Sequence, residues 1–213
     1  PSRCKPCKKE DVQKIKDSVG ISVIDLGIRE DLRPKSDSYI KFLCKNITNY
    51  INSGKDVYLY SFCEYEGDEV TIDKIMSNFP GETKIHAVKY DGDIDKYLEK
   101  YTQMEYMICA RFHAMILSTV AKQKIFVMSY SKKVDRVIED LELNLPIMHF
   151  NELDEKHDLL LENFKAVEDE KIQKILETGR LAPTAKNTQC QKIYVLKDKE
   201  LIHEIVIENP NKI

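Results

Sequence analysis

"EYMICARFHAMILSTVAKQKIFVMSY", residues 105–130, is the stretch on which the fold turns. It opens on an apolar run at 105–110 that reads as a strand. It passes through Arg111 and His113, carries an apolar helical pattern over 112–122, and returns to a strand-like run at 124–130. A strand, a short helix and a second strand in immediate succession form the unit of a parallel sheet, because parallel neighbours need a crossover connection.

The same alternation extends in both directions. Upstream lie the β-branched run "GISVIDLG" (20–27), the strand "DVYLYSF" (56–62) and the strand "KIHAVKY" (84–90). Between them fall three helical patterns. The first, 36–54, has Tyr39, Ile40, Phe42, Leu43, Ile47 and Ile51 at helical spacing and ends at Gly54. The second, 68–79, is stopped by Pro80-Gly81, and the third, 93–104, has aspartates in its first turn. Downstream come a helix at 132–143 and a short strand, "PIMHF" (146–150). This order predicts an α/β fold, a doubly wound and mostly parallel Rossmann-like sheet with helices on both faces. Ligands in such sheets bind beyond the carboxyl ends of the strands. No G-x-G-x-x-G follows a strand and the chain has seven glycines, so neither a dinucleotide fingerprint nor a Walker loop is present.

Composition narrows the function classes. The 213 residues are 42% hydrophobic and 32% charged, with a formal net charge of −3. That balance gives no basic surplus for nucleic acid. No apolar run reaches the ~18 residues of a membrane span. The opening "PSRCKPCKK" has no secretory pattern and no initiating Met, which reads as a cytoplasmic chain cut from something longer. Six cysteines, at 4, 7, 44, 63, 109 and 190, are mostly scattered in apolar segments, the usage of reduced thiols. Cys4 and Cys7 have the spacing of a redox pair or half a zinc site, but no further ligands stand at suitable spacing. His149, Glu152, Asp154 and His157 fit no ligand motif either and read as a polar connector, so no metal is expected.

Four segments follow from the pattern: an N-terminal stretch 1–19, the Rossmann-like domain 20–150, an acidic linker 151–167 of helical character, and a small α/β appendage 168–213. The appendage reads as a helix ending at Gly179, a polar loop at 183–191, a strand at 192–196 and a further helix.

Arg111 and His113 fall where the strand 105–110 gives way to the next helix. A helix start there offers unpaired N–H groups and the positive end of the dipole, which suit an anion. Arginine adds a planar fork that matches carboxylate or phosphate. Histidine adds a proton donor or acceptor near neutral pH. At an elbow the two converge, while Phe112, Met115, Ile116 and Val120 pack on the sheet. The plainer alternative is a surface arginine and a half-buried, satisfied histidine.

"MICARFHAMILSTVAKQKIFVMSYSKKV" resembles the signature segment of the polysaccharide pyruvyltransferase family, through Arg111, Phe112, His113, Ala114, Tyr130, Lys133 and Val134. Lys122 and Lys124 depart from it, standing where many members carry Gly and Pro before the strand. The resemblance implies one half of a GT-B-like fold and transfer of a pyruvyl group from phosphoenolpyruvate to a sugar or polysaccharide precursor, as a ketal. It implies Arg111 and His113 as catalytic residues, with Arg111 holding the anion and His113 acting as acid or base. Arg29 becomes a second clamp, Lys133 a phosphate contact and Tyr130 a residue of the substrate wall. No cofactor is required for that chemistry. The type B fold holds its acceptor between two Rossmann-like halves, and this chain has room for one, so complete catalysis calls for the other.

"IQKILETGRLAPTAKNTQCQKIYVL" resembles the early part of the nitroreductase family, through Ala182, Pro183, Thr184, Asn187 and Gln189. That resemblance implies a loop, Pro183, Thr184, Asn187 and Gln189, approaching flavin mononucleotide in a homodimer, provided the rest of such a domain is present. The alternatives to pyruvyl transfer are therefore an FMN-dependent oxidoreductase fusion and a non-catalytic module that binds sugar or anion.

Overall fold

The computed structural model describes residues 13–153 and 158–181. The chain divides into two compact units, one of Lys14–Val167 and one made of Pro1–Gln13 with Glu168–Ile213. Of the second unit the structure describes chiefly one helix, Asp169–Leu181. The expected polar loop, strand and last helix of the appendage lie outside the described residues, as do Cys4 and Cys7.

The first unit is a six-stranded sheet. Its strands are β1 (Ile15–Ser22), β2 (Asp56–Tyr60), β3 (Ile85–Val88), β4 (Met104–Cys109), β5 (Lys124–Ser129) and β6 (Ile147–His149). All pairs are parallel and the spatial order is β3-β2-β1-β4-β5-β6. The expected doubly wound α/β sheet is therefore present. Its central strands are covered on both faces and read as continuous apolar runs. Val19, Ile21, Val57, Leu59, Met107, Ile108 and Ile125 are all fully buried. The order reverses between β1 and β4, the place where such sheets offer a crevice.

Five helices connect the strands: α1 (Ser36–Asn52), α2 (Asp68–Met76), α3 (Ile94–Thr102), α4 (Phe112–Val120) and α5 (Lys132–Asp140). α1 buries Tyr39, Phe42, Leu43, Asn46, Ile47 and Tyr50, the three- and four-residue spacing that turns one stripe to the sheet. α3 starts at Asp93, whose carboxylate accepts from the Lys96 amide at 3.0 Å and satisfies one orphan donor of the first turn. Right-handed crossovers put α1 and α2 on one face and α3, α4 and α5 on the other. On the second face Tyr101 of α3 donates to the Ala114 carbonyl at 2.8 Å and meets the Ser118 hydroxyl at 2.6 Å. Its ring packs edge-on to Tyr60 and Phe62. Each such buried ring contributes roughly 1.5–3 kcal/mol by removal from water.

Two features depart most from the sequence reading. β1 begins at Ile15, not at Gly20, and ends at Ser22. Lys16, Asp17 and Ser18 hid its first half, because a register shift lies between Ile15 and Val19 and Asp17 sits at φ 63°. Asp17 is held there by an ion pair with Lys55. Residues 23–27 leave the strand, yet Val23, Ile24 and Leu26 stay buried beneath the loop they start.

The second difference concerns the expected acidic helical linker. Residues 158–167 form no α-helix and pack with the first unit. Tyr50 donates to the Leu159 carbonyl at 2.6 Å, and the Leu159 amide donates to Asn46 Oδ1 at 2.8 Å. Phe164 lies against Phe126 and Tyr106. Lys165 bonds Ile125 in both directions, at 2.8 and 3.2 Å, extending the sheet edge beside the three-residue β6. The charges of this segment face water while Leu159, Phe164 and Val167 are buried, so a count of acidic residues concealed its anchors.

Candidate functional site

The site is built at the carboxyl rim of β1, β4 and β5. The β4–α4 elbow is held by the last residue of β1: Ser22 Oγ accepts from the amides of Ala110 and Arg111, at 3.0 and 3.3 Å. Arg111 is the N-cap of α4, in extended conformation (φ −102°, ψ 138°), and no side chain caps that helix. The sharp turn sends successive side chains in different directions.

Arg111 points inward. Its Nε donates to Asp68 Oδ2 at 3.2 Å, its Nη2 to Asp68 Oδ1, and its Nη1 to Glu66 Oε2. Asp68 is fully buried and follows β2, so its pair with Arg111 reaches over the carboxyl end of β1, beside the place where the strand order reverses. The open anion clamp expected from the sequence is thus occupied by the protein's own carboxylates. The same Asp68 Oδ2 accepts from the amides of Phe62 and Cys63, at 3.0 and 2.9 Å. Burial pushes the Asp68 carboxyl above its usual range, against the pull of Arg111 and those two amides. For Arg111, burial alone would lower the pKa, and hydrogen bonds and charges from Asp68 and Glu66 outweigh it, so the guanidinium stays protonated.

Between the two acids Gly67 adopts φ 75°, and its α-carbon lies against Asp25: an added Cβ would stand 2.6 Å from Asp25 Oδ2. Asp25 in turn accepts from the Gly27 amide at 2.7 Å. The loop after β1 and the turn after β2 therefore meet above the Asp68–Arg111 pair.

His113 points outward and is exposed. Its ring lies 5.7 Å from that of Phe112, and Lys133 Nζ sits 4.4 Å over the Phe112 ring. Arg29 lies 5.0 Å over the Tyr130 ring and pairs with Asp31 at 3.2 Å. Four candidates named from the sequence, Arg29, His113, Tyr130 and Lys133, thus collect on one rim with cationic groups facing water, while Arg111 braces it from below. Pro183, Thr184, Asn187 and Gln189 lie outside the described residues. Among the described residues no cluster of three or more His, Cys, Asp or Glu is arranged to hold a metal ion.

Sequence reasoning missed Ser22, Glu66 and Asp68. Asp68 stands at the start of α2, where a carboxylate is common for the dipole alone. Nothing local marks it as the partner of an arginine 43 residues away.

The sequence model of the polysaccharide pyruvyl transferase family matches residues 7–132, well over half of the chain. The chain belongs to that family. The matched residues include the Arg111-Phe112-His113-Ala114 elbow of the rim just described. A separate stretch, 162–211, is similar to the nitroreductase family, following the pyruvyl transferase region. No curated protein matches the chain. Among solved structures, the chain is similar to the C-terminal domain of a glycosyl transferase group 1 family protein from Francisella tularensis. That likeness has a TM-score of 0.37 at 9% identity and covers 61% of this chain and 75% of the other. No described helix is long and apolar enough to cross a membrane.

Proposed function

We propose that the rim carries pyruvyl transfer from phosphoenolpyruvate to two neighbouring hydroxyls of a sugar. Two hydroxyl oxygens bond to C2 of the donor, the C2–O bond to phosphate breaks, and C3 gains one proton to become a methyl group. The two hydroxyl protons balance this: one reaches C3 and one leaves with phosphate. A single imidazole serves both steps. His113, protonated, delivers a proton to C3 as the first oxygen attacks, and the proton of that first hydroxyl passes to a phosphate oxygen and leaves with it. The neutral ring then takes the proton of the second hydroxyl as phosphate departs. His113 is suited to this as the exposed acid–base side chain at the elbow, and in this reading Lys133 over the Phe112 ring and Arg29 over the Tyr130 ring supply the positive charge that meets phosphate. Arg111 orients the elbow through Asp68.

The observation that supports this reading most is the family's Arg-Phe-His-Ala elbow standing at the carboxyl rim of the sheet with its histidine in solvent. The test incubates the full chain with phosphoenolpyruvate and a panel of sugars bearing paired hydroxyls, following phosphate release and the ketal methyl signal by NMR. Sugar-dependent phosphate release is expected, with loss of roughly 10²–10⁴ in rate in His113→Gln. Donor binding without turnover would mark either a non-catalytic anion-binding module or a donor half that acts only with an acceptor half, and equal turnover in His113→Gln would remove the histidine from the mechanism. The nitroreductase-like stretch bears on the other unit, and no step above passes through a flavin.

A further inference from the structure

Arg111 has two acidic partners that differ in kind. Asp68 takes the Nε and Nη2 edge, is itself fully buried, and is locked by the amides of Phe62 and Cys63. It cannot leave without stranding those donors. Glu66 takes the remaining Nη1 edge, but its side chain is 58% exposed. Among the described residues Arg111 is the one partner of the Glu66 carboxylate. Glu66 ends a single 3-10 turn, Glu64–Glu66, closed by Gly67 in left-handed conformation. That turn is free of any buried side chain of its own. One partner is therefore fixed and the other can be exchanged.

We propose that Glu66 is a placeholder carboxylate: it covers the solvent-facing edge of the Arg111 guanidinium until the carboxylate of a small 2-oxo or enol acid takes its place. The argument is one of matched chemistry. Guanidinium presents five N–H donors, and Asp68 leaves the Nη1 group for a second acceptor. A ligand carboxylate on Nη1 repeats the contact Glu66 makes, with the same charge-assisted geometry. The Glu66 carboxylate is the exposed member of the pair, so water can take over its solvation when it swings away, while Arg111 keeps Asp68. The exchange also leaves the buried guanidinium paired at every stage, which an empty clamp would not. This inference rests on the pyruvyl-transfer reading for its ligand class, since the donor carries such a carboxylate, and it assigns the donor's carboxylate end to Arg111.

The test titrates pyruvate, which has the carboxylate and no phosphate, into the full chain and into Glu66→Gln and Glu64→Gln. Affinity and the Arg111 Nε–H resonance are followed by NMR. Glu64 is an exposed neighbour with the same charge and no contact with Arg111, so it reports general electrostatics alone. Glu66→Gln is expected to bind pyruvate roughly three- to tenfold tighter, with the Arg111 resonance moving on binding. Glu64→Gln is expected to change affinity by less than about twofold. Equal tightening in both variants, unchanged or weaker binding in Glu66→Gln, or absence of pyruvate binding in all three proteins would overturn the placeholder. Tighter pyruvate binding in Glu66→Gln without any sugar-dependent phosphate release would sink the transfer reading and leave the placeholder standing. Transfer activity with unchanged Glu66→Gln affinity would do the reverse.

Discussion

At Arg111 one side chain carries two competing demands. Its position at the elbow and its residue type were legible in the sequence, and so was the histidine two places on. Its orientation was not, because the deciding partner, Asp68, lies across the end of β1 and becomes a neighbour only when β2, β1 and β4 stand side by side. A buried guanidinium bound to a fully buried carboxylate is costly to break from one side. Asp68→Asn is expected to destabilise the protein by about 3–5 kcal/mol in urea denaturation, because Arg111 keeps its charge and loses its main acceptor. The double variant with Arg111→Met is expected to recover part of that loss, since it removes the stranded charge. A loss below about 1 kcal/mol in Asp68→Asn, or strictly additive effects in the pair, would show that the bridge does not carry the elbow.

The elements themselves were readable where their hydrophobic period was clean. β4, α4 and β5 fall close to the expected limits, and α1 shows the spaced stripe that the sequence displays. Legibility failed where polar residues serve the backbone. β1 opens with Lys16, Asp17 and Ser18, which occupy a bulge and an ion pair and so look like a loop. Residues 158–167 look like a solvated linker because their anchors are few and widely spaced. Lys122, one departure from the family pattern, adopts φ 54°, a conformation natural to glycine, in the connection between α4 and β5. The turn that carries Glu66 and Asp68 depends on a glycine in earnest. At Gly67 a side chain would face both a positive φ and the Asp25 carboxylate. Gly67→Ala is therefore expected to cost about 1–3 kcal/mol in the same denaturation assay and to perturb the Arg111 side-chain resonance. Unchanged stability would mean that the turn is free to rearrange.

The whole molecule joins a conventional sheet to an unconventional content of buried phenols. Burial pushes the pKa of Tyr39, Tyr50, Tyr60, Tyr97 and Tyr101 upward, and pushes the Cys109 thiol up to about 12. In the unfolded chain these phenols ionise near ~10 and the thiol near ~8.5. Their contribution is fully present below those values and is lost as pH rises toward the folded ones, at about 1.4 kcal/mol per pH unit for each group. The melting temperature is expected to hold to about pH 9 and to fall steeply above pH ~10. A flat profile to about pH 11 would mean that these rings are hydrated in the native state. The same architecture gathers cationic groups and an exposed imidazole at the carboxyl rim of β1, β4 and β5, where the proposed function seats a small acidic donor. A phosphoenolpyruvate titration of the isotope-labelled full chain, followed by backbone and arginine side-chain NMR, tests that claim most directly. Shifts concentrated at Arg29, at Arg111 through Met115 and at Tyr130 through Lys133 are predicted. Shifts at the opposite, amino-terminal rim around Asp17, Lys55 and Lys124, or none at all, would contradict it.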